Sequence, residues 1–270
     1  MKNSHALASL AFAGLFSFQA VTHGATLSFQ NDGVYTGTAD TLIASGLSSG
    51  NNFGDHAAVD VGAFDTTFFP GGDPHVVRGL IRFDVSALAG QFVTINSITL
   101  RLSVLAVLGT NGVELREPIA ANRDWVEGTG DDTAQAGSST WNNKIHPGTV
   151  WVDGPGLGTL GYGSVLASNS YTGASSGLSD FVISNSAVAT ALIADFLSPS
   201  NGGFFLKATN EATTATNFVI FESSEVTTVS ERPKLIVDYT PTPEPSGAVL
   251  LAAGALCLLS ARRAGIRRAV

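Results

Sequence analysis

Gly79-Leu80-Ile81-Arg82-Phe83-Asp84-Val85 places Ile81, Phe83 and Val85 on one side of an extended chain and Arg82 and Asp84 on the other. Successive side chains of a β-strand point to opposite faces, so this alternation is a half-buried strand with one solvated or network-forming face. Ile98-Thr99-Leu100-Arg101-Leu102-Ser103-Val104 repeats the pattern, with apolar residues at the even positions. Working outward, shorter segments of the same kind lie at Thr26–Gln30, Thr41–Ala44, Ala57–Gly62, Val113–Ile119, Ser164–Ala167, Asp180–Ser184, Phe204–Ala208, Asn217–Glu222 and Lys234–Tyr239. Glycine-rich punctuation separates them. One stretch departs from period two. Ser186–Leu197 sets Val188, Leu192 and Ile193 at helical spacing, with Asn185 or Ser186 as a cap and Pro199 beyond the end. About ten short strands with one short helix predict an all-β, jelly-roll-like antiparallel β-sandwich. The long Gly/Ser/Thr-rich loops Ser45–Asp55, Phe64–His75, Gly128–Ser139 and Gly154–Gly163 are expected at its ends.

Composition narrows the class. The 270 residues are 44% hydrophobic but only 13% charged, with a net charge of -8, against roughly a quarter charged in ordinary soluble domains. That excludes a disordered polyampholyte, a coiled coil and a basic nucleic-acid binder. Cys257 is the only cysteine, so neither a disulfide framework nor a cysteine metal site can form within the chain.

The mean hydropathy of +0.24 is concentrated at the two ends. Lys2 precedes an uncharged run from Ala6 to Val21 and small residues at Thr22 and Gly24. This predicts a secretory signal peptide over residues 1–24, cut after Gly24. At the other end Pro243-Glu244-Pro245 is followed by uncharged Ser246–Ala261 and then Arg262, Arg263, Arg267 and Arg268. As a helix the apolar stretch would span about 24 Å, short of a ~30 Å hydrocarbon core, with the arginines on the cytoplasmic side. Residues 25–240, between these ends, hold nine Lys/Arg and 21 Asp/Glu, a net of -12. Binding to nucleic-acid phosphates is not expected of so acidic a body.

Two resemblances follow from these residues. The order Pro243-Glu244-Pro245, apolar helix, arginine cluster resembles the PEP-CTERM sorting signal over residues 241–270. That resemblance implies an exosortase-type processing enzyme as partner, transient or retained anchoring in the inner membrane of a Gram-negative bacterium, and a final place at the cell surface or in the extracellular matrix. The body carries Ala39-Asp40-Thr41 with Asn52-Phe53-Gly54, then Arg78–Val85, Ile95–Leu102, Asp124-Trp125-Val126-Glu127-Gly128-Thr129-Gly130, Thr140-Trp141-Asn142-Asn143, and Arg232-Pro233-Lys234-Leu235 leading to Tyr239. In this order the blocks resemble the DNRLRE domain family, related to disaggregatase and carbohydrate-binding modules. The resemblance implies a jelly-roll-like sandwich over residues 25–240, some of whose relatives bind polysaccharide. The letters of the family's name do not occur here as a run, and Phe196 stands where a glycan-linked Trp is expected.

Candidate site residues fall into three groups. Arg82, Asp84, Arg101, Trp125, Glu127 and Trp141 are read as a structural network, Arg82 pairing with Asp84 or across strands, and the two tryptophans as core or edge anchors. Trp151, Tyr162 and Tyr171 lie in glycine-rich segments and are the candidates for an exposed surface that stacks on pyranose rings. Structural calcium is expected, if anywhere, in the loops near Asp32, Asp40, Asp131 and Asp132, where carboxylate and carbonyl oxygens abound. No other cofactor is expected.

Catalytic strings carry less. Gly156-x-Gly158-x-x-Gly161 spells a dinucleotide fingerprint, but no buried strand precedes it and no helix follows. Gly46-Leu-Ser48-Ser-Gly50 and Gly173-Ala-Ser175-Ser-Gly177 spell nucleophile elbows without the strand–helix context. His56, His75 and His146 are scattered without zinc-ligand spacing. The expectation is therefore a non-catalytic exported protein that binds or organises extracellular polysaccharide, as in a biofilm matrix. A structural surface protein with protein partners and no glycan ligand is the first alternative. A polysaccharide-degrading enzyme is the second.

Overall fold

A computed structural model describes residues 24–66, 73–173 and 176–243. Residues 1–23 of the signal-peptide segment and the residues after Pro243, with Glu244, Pro245, Arg262 and Arg263, lie outside the described residues. Thirteen strands and one α-helix follow in chain order: β1 (Ala25–Phe29), β2 (Thr38–Ala44), β3 (Ala58–Phe64), β4 (His75–Phe83), β5 (Phe92–Leu108), β6 (Thr110–Arg116), β7 (Asn143–Ile145), β8 (Thr149–Val150), β9 (Ala167–Thr172), β10 (Gly177–Ile183), α1 (Ser186–Phe196), β11 (Phe204–Ala208), β12 (Asn217–Glu222) and β13 (Lys234–Pro241). The fold is all-β, as the alternation predicts.

All strands but β7 and β8 belong to one curled antiparallel sheet in the order β1-β13-β5-β12-β3-β4-β11-β6-β9, with β10 added to β5 and β2 to β4. The sheet folds over on itself because β5 is long enough to serve both layers. Its residues 92–101 pair with β13 and residues 98–104 with β10, while 104–108 pair with β12, where the register shifts at Ile220/Phe221. A bulge of this kind bends a strand and increases its twist. Inside the fold, Val59, Ile81, Phe83, Leu100, Leu102, Phe181, Phe204, Phe221 and Val237 form the principal core. Gly79 sits on this inner face because a side chain there would meet Val59 and Leu206 at 2.6 and 3.2 Å.

The outer face of β4 is not solvated. Leu80 packs with Ile43, Phe205, Trp125, Trp151 and Leu157 in a second core. The cover is the excursion from Glu117 to Leu166, which includes the β7–β8 ribbon. Arg78, buried on the same face, makes a two-pronged ion pair with Glu211 at 2.7–2.8 Å and donates to the carbonyls of Gly156 and Gly158. Gly156 and Gly158 have φ of 65° and 51°, and the Trp141 ring lies where a Gly156 side chain would stand. The glycine string that imitates a nucleotide motif is thus a left-handed turn that Trp141 packs against.

Helix α1 matches its predicted bounds within a residue. The Asn185 side chain accepts from the Ala187 and Val188 amides, and Ala189, Leu192, Ile193 and Phe196 are buried. Near its end Arg123 joins the excursion to the helix, with Nη2 2.8 Å from Asp195 Oδ2 and 2.9 Å from Glu117 Oε1. Burial, and then the neighbouring Asp195, push the Glu117 carboxyl up to about 7, although Arg123 opposes the shift. A folded value above the unfolded one means a proton is taken up on folding. The stability this proton confers is full below pH 4.5 and is lost as pH rises towards 7. Glu117→Gln, which imitates the protonated form, is expected to flatten the pH dependence of Tm across that window. The difference from wild type, discounted for solvent screening, is on the order of 1 kcal/mol or about 2–4 °C. Thermal unfolding followed by circular dichroism from pH 4.5 to 8 checks this; parallel curves for the two proteins would contradict it.

Candidate functional site

Two features outside the principal core hold groups with chemistry to offer. The first is a cleft of about 350 Å³ where β2, β3 and β4 meet the loop after β2. Its apolar wall is Leu42, Ala44, Phe53, Phe64 and Val77, part of a third cluster that also includes Phe218. Polar groups ring it: Ser45, Ser48, His56, Asp60, Asp73, His75 and Asp132. Period two explains the mixture, since β3 places Asp60 between Val59 and Val61 of the principal core. Phe64 and His75 are cross-strand partners, their rings stacked with centroids 4.7 Å apart. His56 pairs through Nδ1 with Asp131 at 2.7 Å. Asp60 Oδ1 has no hydrogen-bond partner among the described residues. Burial pushes its carboxyl up to about 6, against the opposing influence of His56 and His75. Two of the three histidines therefore share one cleft; His146 is not among its lining residues and faces Asn143 Oδ1 at 3.3 Å.

The second feature is a group of carboxylates, Asp40 buried and the other two half-buried. Asp40 of β2, Glu127 of the excursion and Glu225 of the turn after β12 present oxygens all within 4.8 Å of one another. Burial first, and then the Glu225 and Glu127 carboxylates, raise Asp40 well above its usual range. Glu127 is pushed up to about 7, chiefly by burial. Arg82 crosses from β4 beneath this group. It donates to the Trp125 carbonyl at 2.8 Å and lies 4.6 Å from the Trp125 ring centre.

The predicted network is partly assembled. Arg82, Trp125 and Glu127 come together; Trp141 stands apart over Arg78, 5.1 Å from its guanidinium carbon. Arg82 and Asp84 do not pair: Asp84 caps the next turn by accepting from the Ser86 amide. The two meet only as lining of a second hollow of about 400 Å³ beside Phe196–Pro199 and Asn201. Arg101 does pair across strands, with two bonds of 2.7 Å to Asp180, its register partner on β10.

The expected stacking surface is corrected. Trp151 is 1% and Tyr171 6% exposed. The Trp151 indole donates to the Thr140 carbonyl in the second core. Tyr171 lies edge-on to Phe221, its hydroxyl on Ser179. Tyr162 is half-buried, stacked on Phe205, with the Arg116 guanidinium 5.0 Å from its centre. The glycine-rich composition of these segments reads as exposed loop, yet the excursion folds back and packs Trp151 and Tyr162 into the second core, while Tyr171 points from β9 into the principal core.

The loop acids separate as well. Asp32 accepts from the Val34 and Tyr35 amides, which hold its carboxyl low. Asp131 is engaged with His56, and Asp132 accepts from Asn51. Only Asp40 belongs to a carboxylate cluster. Its partner Glu225 escapes sequence reasoning, because Ser223-Ser224-Glu225 has no periodicity and only the fold brings it to β2. Among the described residues no helix is long and apolar enough to cross a membrane. No protein-family model matches the chain, and no curated protein matches it.

Proposed function

We propose that the protein is an exported, non-catalytic β-sandwich module that binds extracellular polysaccharide through the cleft between β2, β3 and β4, at the cell surface or in the matrix of a Gram-negative bacterium. The observation that carries the reading is the cleft itself. An apolar floor edged by the exposed Leu47 lies beside Asp60, Asp73, His56 and His75, and such a pairing suits the C–H face and hydroxyl rim of a pyranose. Three carboxylates at the rim disfavour a polyanionic chain, so the ligand class is a neutral or amine-bearing glycan. Export and sorting rest on the character of the two chain ends, with an exosortase-type enzyme and transient passage through the inner membrane as their corollary.

Affinity electrophoresis and calorimetry of the purified protein against neutral, aminated and uronic-acid polysaccharides test the proposal. Binding of a neutral or aminated glycan that Asp60→Asn weakens by about tenfold, the loss of one charge-assisted hydrogen bond, is the expected result. Absence of binding across all three classes would sink it.

A second reading, a surface protein with protein partners, has one observation in its favour. Leu178 and Val182 stand exposed on β10 on either side of Asp180, with Leu105 exposed on neighbouring β5. The same assays separate a third reading, since release of reducing ends or unsaturated sugars from a bound glycan would mark an enzyme built on His56, His75 and Asp60.

A further inference from the structure

The carboxylate cluster has a shortage that protein groups do not fill. Asp40 is 1% exposed. Its Oδ2 accepts from the Ser224 amide at 2.9 Å, but its Oδ1 has no hydrogen-bond partner among the described residues. Glu225 repeats the arrangement: Oε1 accepts from the Ser224 hydroxyl at 2.7 Å, and buried Oε2 has none. Glu127 Oε1 accepts from the Asp40 amide at 2.6 Å. Each carboxylate is thus fixed through one oxygen by a backbone or hydroxyl donor. Two of them are left with a second, buried oxygen that no described residue satisfies. An orphaned buried carboxylate oxygen is costly, and more so beside other carboxylates.

The charge points the same way. Arg82 is the cation that acts on Glu127, and it spends its hydrogen bond on the Trp125 carbonyl. With all three ionised, as metal ligation requires, the carboxylates against one guanidinium carry a formal charge of -2.

We propose that Asp40, Glu127 and Glu225 hold one calcium ion. Calcium takes carboxylate oxygens at 2.3–2.6 Å, so oxygens on opposite sides of the ion stand up to roughly 5 Å apart. Magnesium, with oxygens at about 2.0–2.1 Å in a strict octahedron, would require a tighter set. The ion neutralises the remaining charge and gives the free oxygens of Asp40 and Glu225 a partner. It also joins β2, the excursion and the turn after β12 at one point. The ion is structural: no step of chemistry is assigned to it. The proposal stands apart from the glycan reading, since none of the three ligands lines the cleft.

The test uses the purified protein stripped with EGTA, then dialysed against calcium alone, magnesium alone, or sodium chloride of matched ionic strength. Metal content is read by mass spectrometry and Tm by calorimetry. One calcium per chain is expected, with Tm raised by several degrees at about a hundredfold excess over Kd and a smaller rise with magnesium. Glu225→Gln and, separately, Asp40→Asn should abolish both the stoichiometric calcium and the calcium-dependent rise. Asp131→Asn, which alters the carboxylate that pairs with His56 and is not in the cluster, should leave both intact. Should either ligand variant fail to fold, the other still decides. No retained calcium and no shift in the wild type, or a full response in a folded ligand variant, would overturn the proposal.

Discussion

Asn52→Leu is expected to lower stability by about 3–5 kcal/mol, which for a domain of this size is a fall in Tm of roughly 10 °C or more. The side chain is fully buried. Its Nδ2 donates to the carbonyls of Glu127 and Ser139, and its Oδ1 accepts from the amides of Gly54 and Gly130. Leucine fills the space but leaves four buried backbone groups without partners. Each unsatisfied group costs about 1–3 kcal/mol, and partial relaxation keeps the total below the sum. Asn52→Asp separates the halves of the effect, since it keeps the acceptor and loses both donations while adding a charge near Glu127. Its loss should be no smaller than that of leucine if electrostatics govern the region. Urea and thermal unfolding provide the measurement; a Tm change under about 3 °C for Asn52→Leu would show that the loops are held by other means.

Trp125→Ala is expected to cost about 3–5 kcal/mol, the range for deleting a large buried aromatic. Trp125 is fully buried, its indole donates to the Gly202 carbonyl at 2.8 Å, and Arg82 rests on its face. Trp125→Phe retains a ring in the same place and loses chiefly the hydrogen bond, so about 1–2 kcal/mol is expected. A phenylalanine variant as damaged as the alanine one would assign the role of Trp125 to the Gly202 contact rather than to packing. In the alanine variant the Arg82 guanidinium also loses its cover, which ties the second core to the carboxylate cluster beside it.

These two residues also mark how far the sequence is legible. Asn52 and Trp125 both lie in blocks that stand out on reading, and Trp125 is a core anchor as expected. Strands with apolar alternation come through well: β11 and β12 fall on Phe204–Ala208 and Asn217–Glu222 as read from the pattern. The long β5 extends beyond Ile98–Val104 at both ends, because its flanks serve different partners and their alternation breaks at the register shifts. β9 is displaced from Ser164–Ala167 to Ala167–Thr172, a polar edge strand whose buried side chain is Tyr171. The cleft was not visible because its wall comes from β2, β3, β4 and a loop that only pairing brings together. Trp151 and Tyr171 misled for the opposite reason. Local composition describes their segments as loops, and burial depends on what those loops fold against.

The pairing of β1 with β13 sets how the domain bears mechanical load. Ala25 lies opposite Tyr239, so residues 24 and 242 emerge side by side from one end of the ladder. Tension applied between those two points opens the antiparallel hydrogen bonds singly, beginning at Ala25, and peels β1 away at low force. Tension carried along β13 alone meets a different geometry. Its registered contacts with β5, from Lys234 opposite Arg101 to Pro241 opposite Phe92, are sheared together. The same domain is therefore weak when pulled by both ends and strong when held by its last strand against drag on the rest of its surface.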